Sequence, residues 1–298
     1  YRNAAALREA LLEVAEAEGR EEIPCDEVPV PELEALGILL DRSLGGGGAP
    51  SAKAEGAGGD PFWDGTLARP GRDDDSQARV GSLLSGFQIQ EILQDSGTTV
   101  IYRGIGVDDG RPVLLKGHRK EIPNVDEIAR MRHEYQLLKE MDIEGAPRAR
   151  DLLKHQNGYL LVLDDEGGLP LSRLLEDGPL DLRDALAYGL RLAAVVTRLH
   201  AREVIHKQIT PNNVFVNPGT GVVELVDFGL ASRQPAHVIS PGAAAAMQED
   251  LRYVSPEQTG RINRVLDYRT DFYSLGATLY CALTGAPPFE SENPEELI

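Results

Sequence analysis

The chain has 298 residues, of which 42% are hydrophobic, and a formal net charge of −18 at pH 7. This length is enough for one large or two small domains with a buried core. An acidic surface repels the phosphates of nucleic acids and anionic lipids, so we expect no nucleic-acid partner. We also expect no membrane span, because no apolar run approaches the roughly 20 residues that a spanning helix needs. Cys25 and Cys281 form no C-x-x-C pair, which favours a reducing, cytoplasmic setting.

The first 82 residues predict a helical segment and a linker. In residues 1–40, Leu7, Leu11 and Leu12 share one stripe of a helix with Ala15, and charged residues occupy the other face. Residues 41–82 are rich in Gly, Ala and Asp and poor in large apolar side chains. Such a stretch buries too little surface to offset its ordering entropy, so we expect a flexible linker.

Residues 83–166 predict a small lobe built mainly of strands. The stretch "SGFQIQEILQDSGTTVIYRGIGVDDGRPVLLKGH" alternates apolar and polar residues around turn signals, which indicates three antiparallel strands. "VDEIARMRHEYQLLKEM" then has helical spacing, and "GYLLVLDDEGG" is a strand ending in a turn. Residues 167–298 begin with a long buried-type helix in "LRDALAYGLRLAAVVTRLHAREV". The predicted class is α+β, with a sheet lobe followed by a helical lobe.

Several motifs occur in a specific order along these lobes, and together they resemble the eukaryotic-type protein kinase domain from about Phe87 onward. They are "PVLLK", "RMRHEYQLLKEM", "LLVLDDEGG", "HKQITPNN" and "ELVDFGLAS". Each motif is weak alone, but the order and spacing are specific. The resemblance implies a bilobal kinase-like fold, with ATP and Mg²⁺ as ligands and a protein as substrate or regulatory partner.

The resemblance implies that four residues grip the metal and the phosphates. Lys116 would contact the α- and β-phosphates, and Glu134 would hold this lysine in place by an ion pair. Asp227, in Asp-Phe-Gly, and Asn213 would bind Mg²⁺.

The resemblance also implies two supporting residues. His206 would pack against Phe228, and Asp271 would brace the backbone of the catalytic loop. Kinases continue with further helices, so the helical lobe of this chain is expected to be incomplete.

The adenine end of the site is implied in the same way. "LLVLDDEGG" would form the hinge, with Leu163 as gatekeeper and main-chain groups of Asp164, Asp165 and Glu166 facing the adenine edge. Leu114 stands where the family has a small alanine above the adenine ring, which narrows the pocket.

The phosphate-binding loop departs from G-x-G-x-x-G. Gln94, Ser96 and Thr99 take the glycine positions in "QDSGTT", and only Gly97 remains nearby. Side chains there hinder close backbone approach to phosphates, so we expect weakened ATP binding.

The catalytic loop departs at its base position, where Gln208 replaces aspartate. An amide oxygen accepts a hydrogen bond but has almost no basicity, and general-base catalysis contributes about 10²–10⁴-fold. Thr210 replaces the lysine that neutralises the transferring phosphate. Both changes predict impaired phosphoryl transfer.

Three functions remain open on these residues. The first is a regulatory pseudokinase, and the segment "SPEQTGRINRVLDYRTDFYSLGATLY" further resembles the kinase-like domain that opens large hybrid sensor histidine kinases, ahead of their phosphorelay domains. The second is an active Ser/Thr protein kinase, indicated by Lys116, Glu134, Asn213 and Asp227. The third is an interaction scaffold that binds no nucleotide.

Overall fold

The computed structural model of the protein describes residues 79–233, 251–259 and 266–291. The helical segment expected in residues 1–40 and all but the last residues of the linker expected in 41–82 lie outside the described residues.

Six antiparallel strands form the sheet of the upper lobe, in the spatial order β1-β2-β3-β4-β6-β5. Their bounds are Leu83–Leu84 (β1), Phe87–Asp95 (β2), Thr99–Gly106 (β3), Pro112–His118 (β4), Ala149–His155 (β5) and Gly158–Asp164 (β6). The three strands expected before residue 119 are β2, β3 and β4. The pairing of β2 with β3 is irregular between Ile89 and Glu91 and between Ile92 and Gln94.

Helix α1 (Val125–Glu140) follows β4. A capping box begins the helix: the side chain of Asn124 accepts from the backbone N–H of Glu127, and the side chain of Glu127 accepts from the backbone N–H of Asn124. These bonds satisfy orphan N–H groups of the first turn. The inward face of the helix is mixed, since Met131 and Leu138 are buried together with Glu134. A fully buried carboxylate among apolar side chains requires a partner.

The lower lobe is built on two long helices, α3 (Leu182–Ala201) and α4 (Arg269–Thr284), which pack against each other. A Cβ at Gly189 would lie 2.5 Å from the side chain of Leu279, so the absence of a side chain on α3 permits this close approach. The remaining elements are short: β7 (Leu169–Pro170), α2 (Leu171–Leu174), β8 (Val204–Ile205), β9 (Val214–Val216), β10 (Val223–Leu225), β11 (Ser232–Arg233) and two 3₁₀ turns, Leu251–Tyr253 and Pro256–Thr259.

The two faces of the upper sheet belong to different cores. Tyr102, Leu115 and Val162 are paired neighbours on one face and belong to a small core confined to this lobe. Leu114 and Leu163 lie on the other face, in a larger core that continues into the lower lobe. The second face therefore forms the roof of the junction between the lobes. A sheet lobe followed by a helical lobe is the α+β arrangement expected from the sequence.

Candidate functional site

A buried ion-pair triad lies where the two lobes meet. The Nζ of Lys116, on β4, donates to Oε2 of Glu134 at 2.6 Å and to Oδ1 of Asp227 at 2.7 Å. The first two side chains are almost fully buried, whereas the Asp227 side chain is 23% exposed. The sheet, α1 and the segment after β10 each contribute one member, so the triad exists only when all three pack together.

Burial and mutual attraction oppose each other within this triad. Burial disfavours the charged form of Lys116, but Asp227 and Glu134 outweigh it and raise the pKa of the lysine above its usual value. Burial tends to raise the pKa of Asp227, and Lys116 outweighs it, so the net shift is downward. The pKa of Glu134 is raised, mainly by burial and also by the charge of Asp227, against the pull of Lys116. Asp227 is therefore the member held most firmly as an anion, as a metal ligand must be.

Gln208 and Asn213 lie in the loop between β8 and β9 and both line the cleft beside the triad. The Nδ2 of Asn213 donates to the backbone carbonyl of Gln208 at 3.0 Å. This bond orients the side chain and uses its nitrogen, so its oxygen, the atom type that binds Mg²⁺, is not engaged in it. Among the described residues, no group of three His, Cys, Asp or Glu side chains is arranged to hold a metal. The oxygen atoms that the loop and the Asp-Phe-Gly segment could offer a cation are those of the Asp227 carboxylate and the Asn213 amide.

The main chain of the loop between β8 and β9 is held by hydrogen bonds from α4 and from the 3₁₀ turn Pro256–Thr259. Asp271, fully buried on α4, accepts from the backbone N–H of His206 at 2.9 Å and of Lys207 at 2.7 Å. His200 bonds the same carboxylate at 2.8 Å. Gln258 donates to the carbonyl of Lys207 at 2.9 Å. Lys207 has a positive φ of 72°, a conformation that costs a side-chain-bearing residue energy, and these bonds hold it there.

The Asp-Phe-Gly segment is fixed by its two neighbours. The rings of His206 and Phe228 meet edge to face, with centroids 4.7 Å apart. The backbone N–H of Phe228 donates to Oε1 of Glu134 at 3.1 Å. Burial lowers the pKa of His206, which agrees with the packing role implied by the sequence. Glu134 thus links α1 both to the sheet and to this segment.

The open part of the cleft lies beneath the β2–β3 turn and beside α1. Its walls carry mostly polar side chains. The lining residues are Gln94, Ser96, Thr98, Thr99, Lys116, Glu127, Arg130, Met131, Glu134, Gln208, Asn212, Asn213, Asp227, Gly229 and Leu230. Gly97 is not among them, because it lies exposed at the tip of the turn. The residues at the three glycine positions, Gln94, Ser96 and Thr99, are all among the lining residues.

The residues expected at the adenine end lie outside this open part. Leu114 and Leu163 pair across the sheet and are buried. Asp165 is engaged by Arg103, whose Nε donates to Oδ2 at 2.6 Å. Glu166 is exposed, and its carbonyl accepts from Asn217 at 2.8 Å.

Comparisons with known proteins agree with this geometry. The sequence profile of the protein kinase domain matches residues 87–298. The chain belongs to the protein kinase domain family. A crystal structure of a kinase domain superposes with a TM-score of 0.60 at 16% identity, covering 74% of this chain and 71% of that chain. The bilobal kinase-like fold predicted from the sequence is confirmed.

Curated relatives of this kinase domain are bacterial serine/threonine-protein kinases. The chain is 26% identical to PrkC of Bacillus subtilis over 217 residues, which are 72% of this chain and 33% of that protein. It is 28% identical to the DNA damage-responsive kinase RqkA of Deinococcus radiodurans over 225 residues, 73% of the chain and 33% of the relative. PknL of Mycobacterium tuberculosis is 28% identical over 213 residues, 71% of the chain and 52% of the relative. The chain thus spans about a third to a half of their lengths. In the part of the kinase domain that the structure describes, no helix is long and apolar enough to cross a membrane.

Sequence reasoning missed two residues at this junction. Arg103 lies two residues after Ile101 on β3 and therefore shares its inward face, so a charged residue at an inward strand position was the available signal. Phe215, buried on β9, stands directly in "NNVFVN" but gave no distinct signal, because a large apolar residue is ordinary in a short buried strand.

Proposed function

We propose that this protein kinase domain is a regulatory module of a signalling protein, with phosphoryl transfer strongly impaired. The observation that carries the proposal is that one loop has Gln208 and Thr210 at the positions where the resemblance implies a catalytic aspartate and a phosphate-neutralising lysine. Gln208 lines the cleft beside Asn213, where a base would have to accept a proton. Thr210 is 2% exposed and its hydroxyl has no hydrogen-bond partner in the described residues, so it offers nothing to a transferring phosphate.

The groups that hold a metal–phosphate complex support retained ligand binding. Lys116 would contact phosphate oxygens, and Asp227 with Asn213 would hold Mg²⁺, which supplies charge neutralisation for the phosphates. Gln208 would accept a hydrogen bond from an alcohol but take no proton from it. Binding and orientation are therefore separable from transfer in this domain.

Phosphate labelling from ATP, scored on the protein itself and on a generic acceptor protein, tests this proposal. We expect no label in the natural chain above the level of an Asp227→Ala control. Gln208→Asp should raise the label by at least about 100-fold, the lower end of the range of general-base catalysis, and Gln208→Asp with Thr210→Lys should raise it further. Labelling of the natural chain that Asp227→Ala abolishes would contradict impaired transfer.

An active Ser/Thr protein kinase is the second candidate. It is favoured by the intact Lys116–Glu134–Asp227 triad and by relatives that are described as serine/threonine-protein kinases. In that case the natural chain transfers phosphate, and Gln208→Asp leaves the rate unchanged because position 208 does not limit it.

Two contexts form part of the proposal. The resemblance of residues 255–280 supports a place ahead of the modules of a hybrid sensor histidine kinase. Reading the natural coding sequence beyond residue 298 tests it, since a histidine-kinase catalytic domain must follow. A cytoplasmic setting is supported by Cys281, which is buried and forms no disulfide bond within the described residues, because free thiols persist in reducing compartments.

A further inference from the structure

Two neighbouring rows of side chains form the roof of the cleft. Directly paired residues on antiparallel strands share a face, and so do residues two apart on one strand. Lys116 pairs with Ile101 on one side and with Leu161 on the other. Two residues earlier on β4, Leu114 pairs with Arg103 and with Leu163. The second row consists of Arg103, Leu114 and Leu163. It therefore lies over the part of the cleft that is next to the triad and toward the hinge, residues 164–166.

This hinge-side part is filled by the protein's own apolar side chains. Leu114 is 1% exposed, Leu163 is 2% exposed and Ile101 is 4% exposed. Below them, Phe215 on β9 is 1% exposed and belongs to the same continuous core. A planar base needs a slot between two apolar surfaces, and surfaces that bury one another leave no such slot. Since Leu114, Leu163 and Phe215 are buried in one continuous core, we infer that apolar side chains take up the volume that a nucleobase would need.

A charged cluster closes the outer edge of the same region. Arg103 donates to both carboxylate oxygens of Asp165, at 2.6 and 3.3 Å, and to the carbonyl of Gly168 at 2.5 Å. It also donates to Glu91 on β2 at 3.2 Å. Glu91 in turn accepts from Arg173 on α2 at 2.6 Å. The cluster ties β2 and β3 to the hinge and to α2 of the lower lobe.

The open half of the cleft has the chemistry of a phosphate site. Ser96, Thr98 and Thr99 lie on its upper wall, and Lys116 and Arg130 add positive charge to its lining. Asp227 and Asn213 face it from below. The carboxylates of the triad cancel the charge of Lys116, so a polyanion needs an accompanying divalent cation to bind here.

We propose that this cleft binds the magnesium complex of a linear polyphosphate and makes no use of a nucleobase. The ligand class is an inorganic polyphosphate or the phosphate chain of any nucleoside triphosphate, with the base lying outside the fold. This inference specifies the ligand class of the proposed function, and it rests on the Mg²⁺ and phosphate binding proposed there.

Calorimetric titration of the 298-residue chain tests the inference, with Mg²⁺ tripolyphosphate, MgATP, MgGTP and adenosine as probes at equal free Mg²⁺. We expect the three triphosphates to bind with dissociation constants within about threefold of one another, a difference of less than about 1 kcal/mol. Adenosine should not bind. Asp227→Ala should abolish binding of all three.

A substitution that opens the hinge-side part of the cleft provides the matched comparison. Leu114→Ala removes the side chain above the base position and should raise the preference for MgATP over Mg²⁺ tripolyphosphate by at least about tenfold. Leu115→Ala is the control, because Leu115 is equally buried on the same strand but faces the opposite core, so it should leave this preference unchanged. Leu114→Val serves if Leu114→Ala does not fold, with a smaller gain expected.

Each alternative outcome has a separate meaning. MgATP binding more than about tenfold tighter than Mg²⁺ tripolyphosphate in the natural chain, or binding of adenosine, overturns the inference. If that ATP binding occurs without phosphate labelling, the proposed function survives. Absence of binding by every probe overturns both the inference and nucleotide binding in the proposed function, and leaves the interaction scaffold.

Discussion

Among single residues, Glu224 on β10 combines deep burial with a concentration of like charge. Burial first, and then the carboxylates of Glu166, Asp165 and Asp164, raise its pKa to about 7. Arg103 and Arg150 pair with Asp165 and Asp164 respectively and take up part of this negative charge. The folded chain therefore binds more protons than the unfolded chain between the usual pKa of a glutamate and about 7. Stability must fall as the pH rises through this interval.

Glu224→Gln mimics the protonated side chain and should remove this penalty. We expect the free energy of unfolding to increase by roughly 1–3 kcal/mol at about pH 8 and by far less at about pH 5. Urea unfolding at the two pH values measures the difference. A gain of equal size at both would show that Glu224 is not the group that titrates.

The sequence identified individual site residues where their chemistry is tied to spacing. Lys116, Glu134, Asn213 and Asp227 were named from motif order, and the structure brings them to one cleft; their binding roles remain predictions. The sequence predicted only in part that apolar side chains fill the hinge-side part of the cleft. Leu114 was expected to narrow the pocket, but its contact with a core that crosses both lobes depends on tertiary packing that one chain position does not encode.

At the scale of elements, α1 holds Glu134 in register with Lys116, and the capping box sets where this helix begins. Asn124→Ala removes one side of the box and should lower the free energy of unfolding by about 1 kcal/mol. Asp126→Asn, an exposed first-turn change, is the control, with an expected loss of less than about 0.5 kcal/mol. Urea denaturation measures both. Equal losses in the two variants would mean that charge in the first turn, and not the cap, stabilises the helix.

The predicted elements were most accurate where periodicity is strong. The helix expected in "VDEIARMRHEYQLLKEM" is α1, and the one expected in "LRDALAYGLRLAAVVTRLHAREV" is α3, which ends at Ala201. Strand β5 was not predicted, because "ARDLLKH" has no clean alternation. It becomes a strand through pairing with β6, a contact that local pattern does not contain.

For the molecule as a whole, Asp271 couples the helical lobe to the loop that faces the cleft. In Asp271→Asn, one of the two side-chain oxygens becomes an NH₂ group, which cannot accept from a backbone N–H. A buried donor is then left unsatisfied, and we expect the free energy of unfolding to fall by about 2–3 kcal/mol. Glu144→Gln, at an 85%-exposed side chain paired with Arg198, should change it by less than about 0.5 kcal/mol. Chemical denaturation that shows equal effects for both variants would contradict this coupling.

The bonds around Lys207 have a consequence for how this domain changes over generations. Asp271 and Gln258 hold the main chain just before position 208, and Asn213 holds the carbonyl of Gln208. None of these bonds involves the side chain at position 208. An exchange between carboxylate and amide at this position should therefore leave the folding of the loop nearly unchanged, so that a lineage could make it in either direction without passing through an unstable ancestor.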